Sequence, residues 1–410
     1  MRLLYSLAAY LLAPLFAAVL LWRGNRRHFS ERLGTGPRVP ARGIWLHAAS
    51  VGEVQAAAPL VRSLRERYPT IPVIVTTLTQ TGRERVQALF GDTVHSRYLP
   101  LDLPGAVRRF FDRIDPRLAV IFETELWPNL YRECGRRRVP LILASARISP
   151  RSFPRYRRMA ALFRQTLSRG IVVAAQGQDD AERFRSIGAD PAHIHVTGNI
   201  KFDLSVPSGT LERGRALRER HAAGRPVWIA GSTHAGEEQQ VLAAHRRLSS
   251  NALLILVPRH PNRFGEVADW LVREGVRFTR RSQETVCDAG TEVLLVDSLG
   301  ELLDFYAAAD VAFVGGSLVP VGGHNLLEPA ALGLPVLTGP NYFNSESIAR
   351  LLIERGAARV VQDGELAAAV AALLADGEAR SRMGARGRAA IEENRGALAR
   401  LLGLIAPLLS

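Results

Sequence analysis

The sequence predicts an α/β protein of two domains, each a parallel sheet with helices on both faces, preceded by an apolar membrane-anchor helix. Three observations carry this. Short apolar runs alternate with stretches of helical spacing from Pro40 to about residue 363. The chain has 410 residues, more than one core ordinarily organises, since single cores rarely grow past ~250 residues. Finally, Leu3 to Trp22 contains no charged residue.

That first segment, LLYSLAAYLLAPLFAAVLLW, could cross a hydrocarbon core of ~30 Å at ~1.5 Å per residue. Pro14 also permits a helix lying in one leaflet. Arg23, Arg26, Arg27 and Arg32 follow it, against only Arg2 before it, so the positive-inside tendency puts the rest of the chain in the cytoplasm. A cleaved leader is disfavoured, because the stronger charge lies after the apolar stretch and no convincing small-residue cleavage site follows.

Downstream, apolar runs at 43–50, 72–78, 118–123, 140–145 and 171–176 read as strands. VQAAAPLVRSLRERY and PGAVRRFFDRI between them have helical spacing. The pattern loosens over 204–226, a linker with one charged helix, and restarts with PVWIAGS, ALLILVPRH, EVLLVDS, DVAFVGG and LPVLTG. Past residue 363 the chain reads as helical to its end. In open α/β sheets ligands bind beyond the carboxyl ends of the strands, so the polar residues just after each run are the ones that matter.

Composition narrows the partners. The formal charge of +14 is spread along the chain and suits an anionic surface or substrate. Nucleic acid is set aside, because no basic run is interleaved with aromatics and no zinc-finger or RNP-like pattern occurs; anionic lipid head groups account for the same charge. Cys134 and Cys287 are too far apart in sequence to suggest a disulfide framework or a zinc cluster, which fits a reducing cytoplasm. Of 53 basic residues only Lys201 is lysine. A chain that has exchanged Lys for Arg wherever a generic cation suffices marks Lys201 as a place that needs a compact point charge.

In HAASVGEV, Glu53 falls at a strand-to-helix turn, where it can cap the helix or serve as a general base facing a cleft. FETELWPN presents Glu123 and Glu125, and alternation in an extended segment sends both to one side. GNIKFD puts Lys201 at the end of the first half's last strand, where a point charge could stabilise a departing phosphate. In the second half, WIAGSTHAGEE, which contains Ser232, gives a small-residue turn whose amides could hold a phosphate oxygen. PRHPNRF groups Arg259, His260 and Arg263 as cations for phosphate or carboxylate. In FVGGSLVPVGGHNLLEPAALGLPVLTGP, Asn325 and Glu328 lie three apart at a helix start, either as a capping box or as a grip on a ribose. No Gly-x-Gly-x-x-Gly follows the first strand and no Walker loop occurs, which removes the main support for nicotinamide and ATP readings. No His/Asp/Glu cluster has metal spacing.

The five strings HAASVGEV, FETELWPN, GNIKFD, PRHPNRF and GGHNLLEPA, in this order along the chain, resemble the 3-deoxy-D-manno-octulosonic acid (Kdo) transferases of lipopolysaccharide assembly. The resemblance implies a GT-B fold of two Rossmann-like domains with a cleft between them. It also implies CMP-Kdo as donor, the lipid A precursor lipid IVA as acceptor, inversion at the anomeric carbon, and no metal or separate cofactor. Under it Glu53 matches the general base, while Glu123 and Lys201 match positions that support the transition state. Arg259, His260, the turn Leu299, Gly300 and Glu301, and the stretch Asn325, Leu326, Leu327 and Glu328 match the CMP site. The expected layout is an anchor at 1–22, an acceptor domain at 23–205, a nucleotide domain at 206–390, and a final helix at 391–410 packing back on the first domain. The implied place is the cytoplasmic face of a bacterial inner membrane, against its anionic lipids. A transferase with a UDP donor and a non-catalytic membrane scaffold are the alternatives, told apart by donor specificity and by cytidine-nucleotide binding.

Overall fold

Runs of four to six residues rich in Val, Ile and Leu are too short for stable helices and suit strands buried on both faces. In the computed structural model, which describes residues 2–22, 29–167, 170–222 and 224–409, they form two parallel sheets. One compact unit comprises Met1–Asp203 with Arg395–Ser410, the other Leu204–Asn394.

The first unit carries β1 (Ile44–His47), β2 (Val73–Thr77), β3 (His95–Tyr98), β4 (Leu118–Phe122), β5 (Leu141–Ala146), β6 (Val172–Ala175) and β7 (Ile194–Val196). Their order is β3-β2-β1-β4-β5-β6-β7, so the winding reverses between β1 and β4, the switch point where such sheets bind ligands. Strand alternation divides the core: Ile44 and Leu46 face one apolar layer, Trp45 the other. β3 was not visible as an apolar run because it is a half-covered edge strand reading HSRY.

The last helix, Ala397–Leu409, packs into the first layer through Leu401, Leu402, Ile405 and Leu409. Its amino end is held by Asp203, whose carboxylate accepts from the amides of Gly396 (2.6 Å) and Leu398 (2.5 Å). A carboxylate at a helix start answers both the unpaired amides and the macrodipole. Asp203→Ala should therefore cost about 1–2 kcal/mol of local stability, read as lost amide protection along 397–409 in hydrogen exchange. Unchanged protection would refute the assignment.

The helix Arg2–Trp22 contains Pro14. Tyr5 Oη donates to Asp102 (2.9 Å), Ser6 Oγ to Asn129 (2.9 Å), and Tyr10 Oη accepts from the Gly105 amide (3.2 Å). Leu3, Leu4, Leu7, Leu11 and Leu15 are exposed. Among the described residues no helix is long and apolar enough to cross a membrane. Of the arginines expected to flank it, Arg23, Arg26 and Arg27 lie outside the described residues. Arg32 is buried, donates to the Leu78 carbonyl and lies over the Tyr98 ring. It is a packing residue here, not a lipid-facing cation.

The second unit carries β8 (Val227–Thr233), β9 (Leu253–Pro258), β10 (Phe278–Arg280), β11 (Val293–Leu295), β12 (Val311–Val314), β13 (Val336–Thr338) and β14 (Ala358–Val360), in the order β10-β11-β9-β8-β12-β13-β14. The reversal falls between β8 and β12. Trp228 and Ala230 face one apolar layer, Val227 and Ile229 the other. The helix Thr210–Ala222 is the charged helix expected in the linker.

Candidate active site

At the switch point of the first unit, β1 ends at His47 and Ser50 caps the helix Val51–Arg67, its hydroxyl accepting from the Glu53 amide. Glu53 answers from the third helical position: its carboxylate accepts from the Ala49 amide (2.8 Å) and the Ser50 hydroxyl (3.1 Å). The capping role open from sequence is thus present. Both donors are uncharged, and Glu53 forms no ion pair among the described residues. Burial, with added repulsion from Glu123 and Glu125, pushes its carboxyl up to about 7.

Glu123 directly follows β4 and takes the left-handed region at φ 59°. The extended alternation expected over 123–125 is therefore not the backbone found. A non-glycine residue held there is strained, a feature that collects at functional sites. Glu123 nonetheless bears on Glu53 and also meets Lys201, whose Nζ lies 3.5 Å from its Oε1. Lys201 is not on the last strand, as the sequence suggested, but in the short turn Ile200–Asp203 beyond it. Glu125 accepts from Trp127 Nε1 (2.8 Å) and lies 3.9 Å from Nε2 of the buried His47. The first unit thus gathers Glu53, Glu123, Glu125, Lys201 and His47 at its switch point.

In the second unit Ser232 also has positive φ (59°), at the place where β8 and β9 shift register. The turn after it is less open than expected. Glu237, fully buried, accepts from the amides of His234 (2.9 Å), Gly316 (2.6 Å), Ser317 (2.9 Å) and Leu318 (2.9 Å). The His234 amide is therefore taken by a side chain. Gly316, at φ 70°, leaves no room for a side chain, since a Cβ there would lie 2.9 Å from the His324 ring. His234 and His324 stack, with their Nε2 atoms 2.7 Å apart, and His260 meets His234 edge-on. Burial, then Arg259 and the other two histidines, push His324 down to about 3. The short contact between the two Nε2 atoms needs a hydrogen on one of them.

Arg259 and His260 are exposed after β9. Arg263 is not part of that open cationic group: it is bound to Glu238 at 2.6 and 3.2 Å, and Glu238 is buried. Glu301 accepts from Arg281 (2.8 Å) in a turn where Leu299 is exposed and Gly300 has φ 87°. Asn325 donates to Glu328 (3.1 Å) and accepts from the Leu327 amide (3.1 Å). Burial raises the Glu328 carboxyl, with Asn325 and then Arg259 opposing it. Leu326 and Leu327 are buried, so their side chains serve the core and only their backbone is available to a ligand. No group of three or more His, Cys, Asp or Glu that could hold a metal occurs among the described residues.

Sequence reasoning did not single out His47, His234, Glu237 or His324. His47 ends β1 and His234 directly follows β8, so strand-end position could have found those two; Glu237 opens the next helix and His324 lies well beyond β12, and neither carried that signal.

Residues 27–204 match the family model described as 3-Deoxy-D-manno-octulosonic-acid transferase (kdotransferase), and residues 275–390 match glycosyl transferases group 1. A 3-deoxy-D-manno-octulosonic acid transferase of Haemophilus influenzae is 45% identical over 392 residues, 94% of this chain and 92% of that protein. One from Bordetella pertussis is 39% identical over 423 residues, 97% of each. Among solved structures, HepE of Anabaena in complex with UDP and glucose is 15% identical, with a TM-score of 0.56 over 90% of this chain and 99% of its own. That likeness speaks to the fold, two parallel-sheet α/β domains of GT-B type. The matched model, the two long relatives and the strings that first suggested it agree: the chain belongs to the Kdo transferases.

Proposed function

We propose that this Kdo transferase moves Kdo from CMP-Kdo to a sugar hydroxyl of the lipid A precursor, with inversion and with Glu53 as general base. The observation that carries the reading is the state of Glu53. Its hydrogen-bond donors are all neutral, and burial lifts its proton affinity to near neutrality. Glu53 takes the acceptor proton, the freed oxygen bonds to the anomeric carbon, and the bond to the phosphate oxygen breaks, so that CMP leaves with the electron pair. Lys201, oriented by Glu123, stabilises the charge that develops. In the second unit Arg259 and His260 take the phosphate, and Asn325 with Glu328 takes the ribose. Ser232, the turn Leu299 to Glu301 and the backbone of Leu326 and Leu327 complete the nucleotide site.

The helix Arg2–Trp22 lies in one leaflet of a bacterial inner membrane, with both units on the cytoplasmic side. Support comes from its exposed leucines, its hydroxyls turned to the protein, and a net charge of +14 drawn to anionic lipids.

Purified protein incubated with CMP-Kdo and lipid A precursor should yield a product heavier by whole Kdo units in mass spectrometry; transfer from a UDP sugar instead would overturn the donor. Lys201→Arg keeps the charge but not its compact shape. It should lower kcat by about tenfold or more, with CMP affinity unchanged, and wild-type kcat would remove Lys201 from the chemistry.

A further inference from the structure

His47 is fully buried at the end of β1. Its Nδ1 lies 3.0 Å from the Thr76 carbonyl and 2.9 Å from the Thr76 hydroxyl. A carbonyl oxygen only accepts, so Nδ1 carries a hydrogen, and Nε2 is left without a hydrogen-bond partner among the described residues. An unsatisfied buried polar atom is costly. This one lies 3.9 Å from Oε2 of Glu125; a bare lone pair there would confront a carboxylate, whereas a proton would meet an opposite charge.

The other charged groups of the site sharpen the point. Three carboxylates gather here: Glu53 at the start of its helix, and Glu123 and Glu125 on the loop after β4. Lys201 partners Glu123. Glu125 receives only the neutral Trp127 indole, and it adds to the repulsion that raises Glu53. Among the described residues one fixed cation, Lys201, meets these three acids, which leaves the loop short of positive charge. We propose that His47 is a positioning residue of the transfer site, holding a proton on Nε2 and pairing as a cation with Glu125. Two acids are then matched by two cations, and Glu53 alone stays unmatched, free to gain and lose a proton. The inference rests on the reading of Glu53 as the base and adds how its proton affinity is set.

Two measurements test it. In full-length protein labelled with 15N-histidine and held in detergent micelles, NMR at neutral pH should show His47 protonated on both ring nitrogens, and Glu125→Gln should strip the Nε2 proton. A bare Nε2 in the unmodified protein overturns the proposal. In kinetics, His47→Asn keeps a donor to the Thr76 carbonyl and removes Nε2. The acid limb of kcat/KM should move up by about one pH unit, a roughly tenfold loss on the limb, with the rate recovering at higher pH. Glu125→Gln should move the limb down, and the double variant should bring it back towards wild type. An equal loss at every pH in His47→Asn would mark a merely structural role and sink the idea. Should His47→Asn fail to fold, the NMR result and the Glu125→Gln profile still decide. Full activity in Glu53→Gln would instead discredit the base assignment while leaving the His47 NMR result to stand.

Discussion

Glu53→Gln should abolish transfer and leave nucleotide binding intact. The carboxamide oxygen can still accept from the Ala49 amide while the NH₂ group donates to the Ser50 hydroxyl oxygen, so the helix start should hold its shape, but the side chain cannot take a proton from an acceptor hydroxyl. Loss of a general base costs about 10²–10⁴ in rate, and kcat should carry it. The wild-type profile follows from the same group. The base works only when ionised, so kcat/KM should fall as pH drops below about 7. Stability should move the opposite way. The folded carboxyl binds its proton more tightly than an unfolded glutamate does, so its contribution to stability is full below the unfolded value and is lost as pH rises through about 7. Above that pH the neutral variant should be more stable, by about 1–2 kcal/mol after allowing for partial exposure. A variant that is inactive and also less stable at pH 8 would mean that Glu53 serves the fold before the chemistry.

The second large effect is expected at Glu237. Two amides converge on each of its oxygens, and together they tie the turn after β8 to the glycine segment after β12. Glu237→Gln keeps the size but turns an NH₂ group towards amide hydrogens, leaving donors unsatisfied in a fully buried place. Each such group costs about 1–3 kcal/mol, more where a charge was involved. The thermal midpoint should fall by roughly 10 °C. CMP affinity, measured by calorimetry below the transition, should fall with it, because His234 and the segment leading to His324 and Asn325 lose their common anchor. A midpoint within about 2 °C of wild type would show that the segment is held by something else. Glu238→Gln, whose partner is the Arg263 guanidinium, is the neighbouring control.

Much of this was legible in the residues. Buried parallel strands announce themselves as unbroken apolar runs, and the first polar residues after them included Glu53, Glu123, Ser232 and Arg259. The half-covered edge strands His95–Tyr98, Phe278–Arg280 and Ala358–Val360 gave no such signal, because too little of their surface is buried to demand apolar side chains. Charge was the least readable property. Arg32 and Arg263 looked like free cations and are spent on packing and on Glu238, since a composition counts charges without showing which are already answered. Glu237 sat unnoticed in a string read for its small residues, and the left-handed backbone of Glu123 has no signature in a glutamate.

The polar contacts of the first helix bear on how the enzyme should be handled. Trimming residues 2–22 to gain solubility would take away the phenol that Asp102 receives from Tyr5 and the hydroxyl that Asn129 receives from Ser6. Asp102, buried and already raised to about 6 by that burial, would keep only the amides of Asn129 and Leu130. Those amides open the helix Pro128–Arg137, two residues past the Trp127 indole that holds Glu125. A shortened enzyme is therefore a variant of the acidic loop as well as of the proposed membrane contact, and its kinetics should be compared with the chain that keeps these residues.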